Sequence, residues 1–139
     1  MITQLRPAHL IVYTLLIVSG ITVFAKTAVS YEYHVPEITQ AQYDQFQKDS
    51  TPTFLAYNAT WCPSCRKQNK NLAALRPDYE AKAAIYTVDI DRKKEYDLPF
   101  PIRRTTIFYI VDGVVVDELL GATSKVRIKA FLDKNLANN

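Results

Sequence analysis

The chain has little cysteine and little histidine. Of its 139 residues two are cysteine, Cys62 and Cys65, and two are histidine, His9 and His34. Two cysteines leave no room for a structural disulfide beyond one between themselves. A structural zinc site usually takes four Cys or His ligands, and His9 lies in the N-terminal leader. A zinc site within one chain is therefore not expected. Excess charge is also missing: the formal net charge is +3, and no run of Lys and Arg is dense enough for nucleic-acid binding. The length suits one domain. The nine tyrosines are spread along the chain and read mostly as packing residues.

What is present is concentrated at Thr60-Trp61-Cys62-Pro63-Ser64-Cys65-Arg66-Lys67, which holds the single tryptophan and both cysteines. Thr53-Phe54-Leu55-Ala56-Tyr57 before it reads as a buried strand, and the residues after it read as a helix. Pro63 suits the first helical position, where its missing N–H costs nothing. Cys62 then stands at the helix N-terminus, where the dipole favours a thiolate. Arg66 and Lys67 add positive potential one turn on. The first turn of such a helix can present both sulfurs together and close a small disulfide ring.

These residues resemble the thioredoxin family. Trp-Cys-x-x-Cys after a buried strand is its redox motif. Leu120-Gly121-Ala122-Thr123-Ser124-Lys125, running on to Ala130-Phe131-Leu132-Asp133-Lys134-Asn135-Leu136, looks like its last strand-to-helix passage. The resemblance covers roughly Tyr33 to Leu136. It implies a three-layer α/β/α fold with a central mixed sheet and an antiparallel edge hairpin. It also implies thiol–disulfide exchange without a cofactor beyond the redox-active pair: Cys62 attacks and Cys65 resolves the mixed disulfide. Trp61 shields the pair and offers a docking surface. Pro63 and Ser64 set the ring's geometry and potential. Implied partners are protein thiol or disulfide clients and a redox partner protein, with no nucleic acid, and a monomer is expected.

Three departures from the family stand out. The position of its usual cis-proline, counted back from Asp112-Gly113, holds Thr105; Pro99 and Pro101 come too early to replace it. A cis bond before threonine costs about 2.5–4 kcal/mol, so trans is expected. Thr105 brings a hydroxyl near the sulfurs, and Arg103 and Arg104 before it are candidates to line a substrate groove, although a solvated loop is the simpler reading. The family's buried carboxylate behind the second cysteine is matched by Ala56. The proline that often follows the motif is matched by Lys70, so a straighter helix is expected.

Taken in order, Met1–Ala25 reads as a signal peptide or an N-terminal membrane anchor. Arg6 gives a positive start, Leu10–Val18 is apolar, and Val23-Phe24-Ala25 resembles a peptidase site. Ala8–Ala25 is 18 residues without charge if His9 is neutral, the short limit for a span. Cleavage after Ala25 is preferred for that reason. Either reading exports the domain to an oxidising compartment, the periplasm or the periplasmic face of the inner membrane, with membrane attachment through residues 8–25 if the leader stays. Residues 26–36 read as a linker or short first strand, with His34 an exposed linker residue, and 37–139 as the thioredoxin-like domain. Thr39 and Gln42 form a capping box for a helix to about Lys48, with Tyr43, Phe46 and Ile38 as its apolar side.

The active-site helix is expected from about Cys62 to Leu75, with Cys65, Gln68, Leu72 and Leu75 on one face, Pro77 ending or kinking it and Asp78 to Lys82 open to a further turn. Ala84–Val88 is a buried strand. Asp89 and Asp91 close it as solvated strand-end residues rather than as a metal or acid–base pair. Arg92–Asp97 reads as a short helix and Leu98-Pro99-Phe100-Pro101 as a stiff loop. Thr106–Val111 and Val114–Leu120 pair across Asp112-Gly113. Thr123 or Ser124 caps a last helix packed by Val126, Phe131 and Leu132. The function expected is an envelope thiol–disulfide oxidoreductase, reductase slightly favoured over oxidase or isomerase. The alternatives are a non-catalytic binding module on the same fold, or a metal or iron–sulfur carrier sharing Cys62 and Cys65 between two chains.

Overall fold

The computed structural model describes residues 34–95, 105–121 and 124–138. The leader, the Leu98–Pro101 loop, Arg103 and Arg104 lie outside the described residues. Within them the order is helix α1 (Gln40–Lys48), strand β1 (Thr53–Asn58), helix α2 (Pro63–Ala73), strand β2 (Ala84–Asp89), strand β3 (Thr106–Val111), strand β4 (Val114–Leu120) and helix α3 (Lys125–Ala137). Short 3-10 turns at Arg76–Asp78 and Ile90–Glu95 follow α2 and β2.

The four strands form one sheet in the order β2-β1-β3-β4. β1 runs parallel to β2, from Thr53 opposite Ala84 to Asn58 opposite Asp89, and antiparallel to β3, with Ala56 opposite Ile107. β1 is apolar on both faces because it is covered on both. On one face Leu55 and Tyr57 pack with Ile38, Tyr43, Val88, Phe108 and Ile110, which seats α1. Tyr57 meets Phe108 edge-on with centroids 5.3 Å apart, and burial pushes its phenol up to about 12. On the other face Phe54 and Ala56 pack with Leu72 and Ala73 of α2 and with Ile128, Phe131 and Leu132 of α3. This is a three-layer α/β/α arrangement around a mixed sheet, with β3 and β4 as its antiparallel edge hairpin.

Local chemistry sets the ends. The Thr39 hydroxyl accepts the Gln42 N–H at 3.2 Å and the Gln42 side chain accepts the Thr39 N–H at 3.0 Å, so the capping box forms. Asp112 and Gly113, at φ +50° and +74°, turn the hairpin. Ser124 caps α3, accepting the Arg127 N–H at 3.3 Å.

Several expectations shift. α2 spans Pro63–Ala73, with Cys62 as its N-cap and Leu75 beyond its end, buried. Val126 does not pack α3; it is 79% exposed. With α3 starting at Lys125, the inward stripe falls on Ile128, Phe131, Leu132 and Asn135, and Val126 lies off it. Residues 34–36 form no strand, and Glu37 alone bridges to Thr87 beside β2. Among the described residues no helix is long and apolar enough to cross a membrane.

Candidate active site

β1 ends at Asn58, and the chain turns through Ala59–Trp61 into α2, with the Cys62 N–H bonded to the Ala59 carbonyl at 3.1 Å. Cys62 keeps an extended backbone (φ −101°, ψ 101°) and caps the helix with its own sulfur. Its Sγ accepts the Cys65 N–H at 3.3 Å. Pro63 occupies the first helical turn. The two cysteines form a disulfide across a Cα–Cα distance of 5.3 Å. Cys62 keeps 4% of its surface and Cys65 none; Ala59 and Ile90 pack against them. Access to the pair is therefore narrow and lies at Cys62.

Two hydroxyls stand over the sulfurs. Ser64 Oγ is 3.3 Å from Cys62 Sγ and 2.7 Å from Thr105 Oγ1. Thr105 Oγ1 is 3.7 Å from Cys65 Sγ and 4.0 Å from Cys62 Sγ. Thr105 comes from the segment just before β3, the strand paired with β1, and is only 6% exposed. Its φ is +47°, a conformation a β-branched residue rarely adopts. The Gly121 N–H, bonded to the Thr105 carbonyl at 2.8 Å, holds it there. The bond joining Arg104 to Thr105 reaches outside the described residues.

Trp61 is 52% exposed beside the pair. Its indole N–H donates to Asp91 Oδ2 at 2.8 Å, and the Asp91 N–H donates to Asp89 Oδ1 at 2.9 Å. Asp89 and Asp91 thus do more than meet solvent: the second carboxylate orients the tryptophan. The Arg66 guanidinium bonds the Thr60 carbonyl and so ties the helix to the turn before it. Ala56 is wholly buried in the core beneath α2, and among the described residues no carboxylate is buried. α2 runs through Lys70 without interruption.

His34 is exposed. It lines a cavity of about 240 Å³ with Asn58, Arg66, Asn69 and Lys70 that does not include either cysteine. Gln68 is a residue the sequence singled out only as part of a stripe. It is a fully buried amide whose Nε2 donates to the Thr106 carbonyl at 3.4 Å and whose Oε1 has no partner. Its neighbours Cys65 and Leu72 gave the stripe away, but a polar residue inside it carried no separate signal. Among the described residues no three His, Cys, Asp or Glu side chains gather into a metal site.

A cysteine pair closed over the first turn of a helix, delivered by the central strand of a mixed sheet, defines a thiol–disulfide exchange protein. The chain belongs to the thioredoxin family: the family model described as Thioredoxin matches residues 34–134. The chain is 30% identical over 105 residues to a thioredoxin of Pseudomonas aeruginosa, an alignment covering 74% of this chain and 97% of that one. It is 29% identical over 103 residues to a thioredoxin of Staphylococcus aureus, covering 73% and 98%. The crystal structure of Trxlp from Edwardsiella tarda EIB202 superposes with a TM-score of 0.62 at 25% identity, covering 70% of this chain and 97% of that one. The protein is a thiol–disulfide oxidoreductase of this family, and such proteins act on protein disulfides through their own cysteine pair.

Proposed function

We propose that the chain exchanges disulfides with protein clients of the cell envelope, with Cys62 as nucleophile and Cys65 as resolving thiol, and that it works mainly as a reductase. The donor set at Cys62 carries the nucleophile assignment, and the likeness to thioredoxins is what favours the reducing direction. Its sulfur caps α2, accepts the Cys65 N–H at 3.3 Å and has the Ser64 hydroxyl at 3.3 Å. Donors aimed at one sulfur, together with the helix dipole, favour its thiolate. Cys62 is also the more accessible of the two sulfurs. The Cys62 thiolate attacks a client disulfide, forming a mixed disulfide and expelling one client thiolate. Cys65, once deprotonated, attacks Cys62 Sγ, closes the internal disulfide and frees the second client thiolate.

The positive start at Arg6 and the apolar run Leu10–Val18 support export, to the periplasm or its inner-membrane face, as a cleaved or an anchored chain. A redox partner protein returns the pair to the dithiol, and the domain acts as a monomer. The half-exposed Trp61 ring, fixed by Asp91, gives clients a flat apolar surface beside the sulfurs.

The test is the reduction potential of the Cys62–Cys65 pair in the full chain, with metal content measured on the same sample. A value near or below about −250 mV makes it a reductase, and one near about −120 mV an oxidase. A pair that does not cycle, or that carries stoichiometric metal, removes the exchange reading in favour of a binding module or a carrier. Cys65→Ser should trap mixed disulfides with envelope proteins, and Cys62→Ser should trap none.

A further inference from the structure

We propose that Thr105 and Ser64 form a two-hydroxyl relay that carries the proton of Cys65 to solvent when Cys65 attacks the mixed disulfide. This rests on the thiol-exchange reading above. Cys65 has no surface of its own, so water does not reach its sulfur directly in this structure. Its thiol must nonetheless lose a proton before it can attack. Among the described residues no carboxylate or imidazole lies within hydrogen-bond reach of either sulfur. Of the charged groups around the motif, the Arg66 guanidinium bonds the Thr60 carbonyl, the Asp91 carboxylate accepts the Trp61 indole N–H, and Lys67 is exposed and, as a cation, offers no base. Ala59 and Ile90 pack against the pair, and Ala56 of β1 lies in the core beneath α2.

What does reach the sulfur is a graded path. Cys65 Sγ is wholly buried. Thr105 Oγ1, 3.7 Å away, belongs to a residue 6% exposed. Ser64 Oγ, 2.7 Å further on, belongs to an exposed residue at the first turn of α2. A hydroxyl can donate and accept at once, so each link can take one proton while releasing another. Cys65 Sγ–H gives its proton to Thr105 Oγ1, Thr105 gives its own to Ser64 Oγ, and Ser64 gives its own to bulk water. Both hydroxyls end as they began. The electron pair left on Cys65 forms the bond to Cys62 Sγ, and the client sulfur leaves with the pair of the broken bond. The positive φ of Thr105, uncommon for a β-branched residue, places its hydroxyl over both sulfurs.

The experiment uses the reduced full chain and the disulfide of thionitrobenzoate as an artificial client. Attack by Cys62 releases a first coloured thiolate and resolution by Cys65 a second, so the two steps are read separately by stopped flow. Absence of the first release would remove the exchange reading itself. With that release intact, Thr105→Val should slow the second release at pH 7 by roughly 10- to 100-fold, at or below the usual contribution of a positioned proton carrier. The deficit should close near pH 10, above the ordinary thiol range, where Cys65 needs no help to ionise. Thr105→Ser, which keeps the hydroxyl, should restore the second release. Ser64→Ala, at an exposed site that leaves the core untouched, should also slow it at pH 7 and recover at high pH. A second release at wild-type rate in either Thr105→Val or Ser64→Ala, or a deficit of the same size at every pH, would overturn the relay.

Discussion

The indole N–H of Trp61 and the carboxylate of Asp91, thirty residues apart in the chain, meet at 2.8 Å. The bond joins the turn before α2 to the segment after β2 and fixes the ring beside Cys62. Asp89 supports it by accepting the Asp91 N–H at 2.9 Å. Asp91→Ala should cost about 1 kcal/mol in urea unfolding, the usual worth of one such bond. It should also change the emission of Trp61, the chain's single tryptophan, in the folded state. Asp91→Asn keeps an acceptor and should lose less of both. If clients dock on the ring, Asp91→Ala raises KM for a protein disulfide while kcat changes little.

Gln68 sets a different balance. Its Nε2 reaches the Thr106 carbonyl at 3.4 Å, a long bond, while its buried Oε1 is unsatisfied. An unpartnered buried acceptor carries a desolvation cost of about 1–3 kcal/mol. Gln68→Leu, close in volume, should therefore be neutral or stabilising by up to about 1 kcal/mol. Gln68→Ala leaves a cavity beside Cys65 and should destabilise by about 2 kcal/mol or more. Thermal unfolding of the oxidised proteins checks the order Leu, wild type, Ala.

The strands, the capping box at Thr39 and the hairpin at Asp112-Gly113 were legible because each rests on a local pattern: an apolar run, a Thr with Gln three residues later, a turn dipeptide. The cysteine pair was legible for the same reason. What escaped depends on contacts between distant segments. Asp91 read as a solvated strand end because nothing local says that Trp61 lies over it. Val126 read as a packing residue because its hydrophobicity was visible and the phase of α3 was not. Thr105 was placed near the sulfurs by counting from the hairpin. Its bond to Ser64 needed the left-handed backbone, which no single residue announces.

Gly113 sits at φ +74°, and a Cβ there would come within 2.5 Å of Gln47 Oε1. The Gln47 amide is the free end of a flexible side chain and can swing aside, so backbone strain decides the outcome. Gly113→Ala should cost about 1 kcal/mol from the left-handed conformation alone. Gly121, at φ +61° with open space around it, should show a similar cost without any clash. Gln47→Ala combined with Gly113→Ala should recover little if strain dominates. Equilibrium denaturation of the three variants separates the two causes.

Asp117 joins the edge strand to the last helix. Its Oδ2 accepts from Lys134 Nζ at 2.9 Å and from Asn135 Nδ2 at 3.1 Å, and its Oδ1 accepts the Glu118 N–H at 2.9 Å. The Lys134 ammonium, ahead of the Asn135 and Glu118 donors, holds its carboxyl below the usual carboxylate range against the opposing effect of burial. A carboxylate whose folded pKa is depressed stabilises the fold fully above its unfolded pKa, near about 4. That contribution is lost as the pH falls through the lower folded value. Asp117→Asn should therefore lower stability at pH 7 and flatten its decline below about pH 4, so that the two proteins converge in acid. Because Lys134 is largely exposed, salt should shrink the difference, and the loss at pH 7 should be no more than about 1 kcal/mol. Lys134→Ala should remove the ionic part and leave the Asn135 bond. Urea midpoints at pH 7 and pH 3, at low and high salt, test both variants; an Asp117→Asn deficit that stays constant across that range would mean shape, not charge, is what Asp117 supplies.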